Sequence, residues 1–343
     1  MTKQTKGRPG TAAAASASAP DAYARITTRI MADLEQGVRP WCKPWGGDQL
    51  GARVTRPRRA NGKPYSGINT LLLWLEAVEK GHRSPTWMTY RQAQELGGQV
   101  RRGERGSQVV YMGETTKRRQ DESTGEETEQ GVRFLKTYTV FNVGQIDGLP
   151  EAFAIPPVTD APALSGPEPM QHAEAFFAAT GADIRHGGAQ AFYHAGADHI
   201  GMPPLAAFRD AESYYATLGH EAVHWTRHPS RLDRSFGRKR WGDEGYAREE
   251  LVAELGAAFL AADLGLALEP REDHAAYIAD WIEVLKGDKR AIFSAAAHAE
   301  RAVKFLHGLQ PGATAEAEAS EPEPEAEHRA APGYAARSFE AAA

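Results

Sequence analysis

The stretch DAESYYATLGHEAVHWTRH (Asp210 to His228) constrains the fold of this chain more than any other. Asp210 is a good helix N-cap, and Tyr215, Leu218, Ala222 and Trp225 supply an apolar face, so the stretch is predicted to be helical. His220, Glu221 and His224 fall on it as HExxH. Residues four apart project from the same side of a helix, so both imidazoles can reach one metal ion. Glu221 stands one step round, where it can take a proton from a water polarised by that ion. Such a water has its pKa lowered towards about 7, and the pattern therefore suits hydrolysis of a peptide-like bond.

Three protein ligands are needed. His228 is the next residue at i+4, but eight residues separate it from His220, about 12 Å along a helix axis, which metal bonds of about 2 Å do not bridge. The position that would carry a metzincin-type ligand is Ser230. The third ligand is therefore expected on YAREELVAELGAAFLAADLG (Tyr246 to Gly265), where Glu250 and Glu254 share a face. One would bind the ion while the other holds a ligand imidazole by its free N–H. Glu250 is the favoured ligand and Glu254 the imidazole's partner, with the reverse as the alternative; Glu249 is expected to point elsewhere. Histidine and carboxylate ligands suit zinc, and manganese or another divalent ion also fits.

A chain of 343 residues is long enough for two globular units. Five prolines between Ile155 and Pro169 predict a stiff linker there, dividing residues 21–154 from residues 170–310. The first part mixes predicted helices, over 22–36, 70–81 and 90–96, with strands at Ser107–Met112 and Val132–Val143 and a solvated acidic loop between them. The second is mostly helical, with short strands at 191–194 and 199–202 ahead of the metal helix. The fold class is thus α+β in two domains. Residues 1–20 and 311–343 have too few large apolar side chains to bury a core and are expected to be disordered. A single cysteine, Cys42, excludes a disulfide framework and a cysteine-based zinc cluster and suits a reducing, cytoplasmic setting. No apolar run approaches the roughly 20 residues of a membrane span.

Charge separates the same two parts. Met1 to Pro150 carries 23 Lys and Arg against 15 Asp and Glu, while the rest of the chain is acidic enough to bring the whole to −5. Four of the seven tryptophans also lie before Tyr111. Cations follow a phosphate backbone and exposed rings stack on bases, a mixture that fits single-stranded DNA. Arg39, Lys43, Arg56, Arg58, Arg59, Lys63, Arg101, Arg102 and Arg105 are the expected phosphate contacts; Trp41, Trp45 and Tyr65 are the expected stacking rings. Trp74, in an apolar helix, is expected in the core.

RPWCKPW, NGKPYSGIN, WMTYRQAQELGGQVRRGERGSQVVY and YTVFNVGQIDGLP resemble the successive N-terminal motifs of ArdC-type antirestriction proteins, also found at the start of TraC-type plasmid primases. GHEAVHWTRHPSRLDR and YAREELVAELGAAF are similar to that family's zincin-like metallopeptidase domain. The resemblance implies an N-terminal single-stranded DNA-binding domain, a C-terminal metal-dependent peptidase fold, and protection of incoming conjugative DNA from restriction. Two other functions fit the same residues: a DNA-stimulated protease acting on DNA-bound proteins, and a non-catalytic DNA-binding protein with a structural metal.

Overall fold

The computed structural model describes residues 22–37, 39, 41, 55–120, 127–154, 167–237, 243–266 and 275–313. The expected leader, most of the linker and nearly all of the tail lie outside them.

Helix α1 (Ala22–Glu35) buries Ile26, Ile30 and Leu34, the residues whose spacing predicted it. Helix α2 (Ile68–Lys80) ends on Gly81, whose left-handed φ of 66° lets its N–H turn back onto the carbonyls of Ala77 and Val78. Helix α3 (Tyr90–Glu95) opens with the capping box of Thr89 and Gln92. Around these helices a four-stranded sheet has the order β1 (Arg58–Arg59), β2 (Thr86–Met88), β5 (Glu127–Asn142), β4 (Ser107–Gln120). A two-stranded ladder joins β3 (Gln99–Val100) to β6 (Ile146–Asp147).

The β4–β5 hairpin corrects one expectation. Its ladder runs from Ser107↔Val140 to Gln120↔Glu127, taking in residues 113–120 and 127–131 that their polarity assigned to a loop. Cross-strand pairing decides such segments more than composition does. Gly113 marks the local device: a Cβ there would come within 2.5 Å of the Phe134 ring, so its absence lets the ring lie across the strand. Tyr111 packs beside that ring at 6.2 Å, and the Lys136 ammonium sits 5.1 Å above it.

Helix α4 begins at Pro167 and runs to Ala179, so the last residues of the expected linker are helical. Proline is tolerated in a first helical turn because the N–H it lacks has no intrahelical partner there. A three-stranded sheet follows, in the order β7 (Asp183–His186), β9 (His199–Met202), β8 (Phe192–His194). Strand β7, parallel to β9, was not anticipated from its polar sequence. Helices α5 (Ala211–Trp225), α6 (Glu244–Leu264), α7 (Ala275–Gly287) and α8 (Ala291–Gly308) follow among the described residues. Among the described residues no helix is long and apolar enough to cross a membrane.

One apolar cluster joins the two parts. Ile26, Ile30, Leu34, Trp41, Leu71 and Trp74 belong to the same core as Val223, Leu251, Phe259, Trp281 and Val303. Arg56 fastens this junction. It is buried, forks onto Asp263 of α6 at 3.1 and 3.2 Å, reaches Glu300 of α8 at 2.9 Å, and lies 4.4 Å over the Phe259 ring. That placement removes Arg56 from the expected phosphate contacts.

Candidate metal centre

Helices α5 and α6 form the site. Asp210 caps α5, its carboxylate accepting from the Ser213 N–H at 2.7 Å, as the sequence predicts. The helices approach closely because Gly256 of α6 lies against Val223, where a Cβ would meet a methyl at 2.7 Å. This contact lies next to His224 in the chain and two residues from Glu254.

His220, His224 and Glu250 are all buried, and each offers one ligand atom within 4.8 Å of the others. His220 Nε2 is 3.5 Å from Glu250 Oε2 and His224 Nε2 is 3.5 Å from Glu250 Oε1. The two rings stand 4.8 Å apart, nearly perpendicular. Two nitrogens and a carboxylate converging from two helices are the donor set of a divalent-metal site, and these residues fit such an ion. Glu221 is 4% exposed. On the helix it neighbours His220 in sequence and His224 one turn on.

Behind each imidazole is another carboxylate. His220 Nδ1 lies 3.6 Å from Glu254 Oε1, an ion-pair distance longer than the hydrogen bond the expected pairing calls for. His224 Nδ1 is 3.0 Å from Glu249 Oε1, which overturns the expectation that Glu249 points elsewhere. Glu249 is one helical step from Glu250, and that step carries it to the other flank of the site. Buried Arg234 clamps it with bonds of 2.9 and 2.8 Å and also donates to Thr226 Oγ1 and the Val223 carbonyl. Arg234 sits in the quoted GHEAVHWTRHPSRLDR segment, but nothing in its spacing assigns it this role.

The electrostatics follow from burial and proximity. Burial acts to lower the His224 pKa, but the carboxylates of Glu250 and Glu249 outweigh it and push the imidazole up to about 10. Burial raises Glu249, and Arg234 and His224 reverse this, holding it at about 2. Glu250 is likewise held far below the usual carboxylate range, against burial, chiefly by His224. Tyr246, one turn before Glu250 on α6, is driven well above its ordinary value by burial and by the Glu250 charge, and its hydroxyl lies 3.0 Å from that of Tyr277.

The basic residues divide. Arg58, Lys63, Arg101, Arg102 and Arg105 are exposed and Arg59 is half-buried, although Arg101 already meets Glu104 at 2.8 Å and Asp147 at 3.3 Å. Three expectations are corrected by burial. Trp41 is 1% exposed, Tyr65 packs against Leu73 and Trp87 with Arg59 over its ring, and Arg39 is buried 3.5 Å from Glu254. None of these three side chains presents a free face to a base or a phosphate. Lys43 and Trp45 lie outside the described residues. Trp74 is in the core, as expected. Tyr193 is held by Asp198 at 2.9 Å and Arg231 at 3.2 Å, while the rings of His194 and His199 stack at 5.4 Å.

Helix-borne histidines, a carboxylate from the next helix and the small preceding sheet define a zincin-like metallopeptidase domain, a class that takes a divalent metal. The family model described as a zincin-like metallopeptidase matches residues 171–298, and that of the N-terminal domain of the anti-restriction factor ArdC matches residues 20–141. The chain belongs to the ArdC antirestriction family. It is 49% identical to the antirestriction protein ArdC of plasmid R388 in its metal-free crystal structure, covering 84% of this chain and 97% of that one with a TM-score of 0.69. For the Mn(II)-bound crystal structure the values are 47%, 84%, 98% and 0.68. The protein y4eC of Sinorhizobium fredii is 43% identical over 85% of this chain and 94% of its own length. DNA primase TraC of Escherichia coli is 39% identical over 83% of this chain, which spans only 27% of that primase.

Proposed function

We propose that this protein binds single-stranded DNA and protects incoming plasmid DNA from restriction, and that its second part holds zinc as a peptidase-like centre. The observation that carries the reading is the buried convergence of His220, His224 and Glu250 on a chain whose basic N-terminal part matches the ArdC family. Exposed Arg58, Lys63, Arg102 and Arg105, with Arg59, supply the phosphate contacts. The two histidines and Glu250 hold the metal, which when bound polarises a carbonyl and an attacking water. Glu221 takes the proton and delivers it to the leaving amine. Glu249 and Glu254 keep the two imidazoles oriented.

Two measurements test this. Affinity for single strands should exceed that for a matched duplex and should fall linearly in log salt; equal or stronger duplex binding would reject the single-strand assignment. Protection of transferred DNA in cells is then compared between wild type and Glu221→Ala, and equal protection would show that DNA binding suffices.

The burial of Glu221 beside the metal set favours a second reading, a DNA-stimulated protease acting on DNA-bound proteins. Wild type incubated with metal, single-stranded DNA and protein-coated DNA should then cleave, and Glu221→Ala should not. A wild type without cleavage under those conditions leaves a DNA-binding protein whose metal is structural.

A further inference from the structure

We propose that Arg39 and Trp41 are positioning residues of the metal centre, acting through Glu254 on His220. The inference rests on reading His220, His224 and Glu250 as the metal-binding set. The two oxygens of Glu254 have different surroundings. Oε2 accepts the indole N–H of Trp41 at 3.2 Å and lies 3.5 Å from Arg39 Nη1. Oε1 is 3.6 Å from His220 Nδ1, a charge–imidazole contact rather than a hydrogen bond, on the side of the ring away from the Nε2 that faces Glu250. With one oxygen anchored by two cationic or polar N–H groups, rotation of the carboxylate is restricted and the other oxygen stays aimed at the imidazole.

A carboxylate behind a ligand histidine fixes its tautomer and ring orientation and raises the basicity of the nitrogen that binds metal. Trp41 is itself immobilised, packed 5.7 Å from the Trp281 ring of α7 inside the main core. The two histidines are therefore served from different places. His224 is oriented by Glu249 and Arg234, both within the C-terminal part. His220 faces Glu254 across 3.6 Å, and that carboxylate's own anchor, Trp41, lies 213 residues earlier in the chain. Arg39 and Trp41 fall outside the zincin-like match at residues 171–298, so the metal centre is completed by the N-terminal part.

The full-length protein is stripped of metal and titrated with Zn2+ against a chelating indicator, and separately loaded with Co2+ for visible absorption. Trp41→Phe keeps an aromatic ring beside Trp281 but removes the N–H together with part of the buried indole, so its metal-free urea midpoint is measured alongside to separate lost packing from lost anchoring. Arg39→Gln removes the charge, and Arg39→Lys restores it. Trp41→Phe and Arg39→Gln should each weaken Zn2+ binding about tenfold, the lower end of the range for such partners, and change the Co2+ spectrum. The metal-free circular dichroism should stay that of wild type, and Arg39→Lys should recover most of the affinity. Trp41→Phe binding Zn2+ within about twofold of wild type, with an unchanged Co2+ spectrum, would overturn the proposal, since that lies below the effect expected of such a partner. A wild type that takes up neither ion would overturn the metal reading itself, and the proposal with it.

Discussion

Arg234 and Glu249 show how one buried pair holds one ligand. The guanidinium donates to both carboxylate oxygens, and the carboxylate then faces His224 Nδ1. Replacing Arg234 with Met leaves Glu249 charged and buried without its cation, which costs about 3–5 kcal/mol of stability. The same change should weaken metal binding by about tenfold or more, since Glu249 loses its fixed orientation. Urea unfolding and chelator competition measure the two effects separately; an unchanged midpoint would show that Glu249 is not held by Arg234. At this scale the HExxH triplet was legible because its geometry is local to one helix, and the spacing of Glu250 and Glu254 narrowed the third ligand to two residues. Glu249 was not legible. Its role depends on Arg234, whose arrival beside it is set by the turn after α5 and by tertiary packing.

Helices and strands in the first part meet at Glu76 of α2. Arg29 of α1, Lys80 one turn on, and Ser107 at the start of β4 all donate to it, Lys80 at 2.6 Å and Ser107 at 2.7 Å. Burial raises this carboxyl, but the three donors prevail and hold it at about 2, against its ordinary 4.5. The folded chain thus keeps Glu76 ionised where the unfolded chain protonates it. Its contribution, about 2 kcal/mol after allowance for the partly exposed Arg29 and Lys80, is complete above about pH 4.5 and is lost as pH falls towards 2. Glu76→Gln should be less stable at neutral pH and should show a flatter acid limb across that window. Parallel pH curves for the two proteins would contradict this. Cap signals made these elements readable: Thr89 with Gln92, Asp210, Gly81. The long β4–β5 ladder was not readable, because each strand's polar half is specified by its partner rather than by its own composition.

Across the whole molecule, cations that join parts of the chain are distinct from those that face outward. Arg56 is committed to Asp263 and Glu300. Arg56→Met should cost about 2 kcal/mol by removing its hydrogen bonds to the partly exposed Asp263 and Glu300, yet leave the salt dependence of DNA binding unchanged. Lys63→Ala and Arg102→Ala should do the opposite, lowering the slope of log affinity against log salt by about 0.7 each on single strands, with little change in stability. A slope unaffected by either alanine would remove those residues from the DNA contacts. Composition located the basic half but could not sort these roles, since burial of a lysine or arginine depends on which acidic residues come to meet it.

Helix α1 packs into a core that includes Trp281 of α7, although it is the first described element of the chain. During synthesis α1 therefore emerges about 250 residues before that partner, an interval of roughly 12 to 50 s at bacterial and eukaryotic elongation rates of about 5 to 20 residues per second. Throughout that interval the apolar face of Ile26, Ile30 and Leu34 is without its final cover, and this part of the chain reaches its native arrangement only once α7 has emerged.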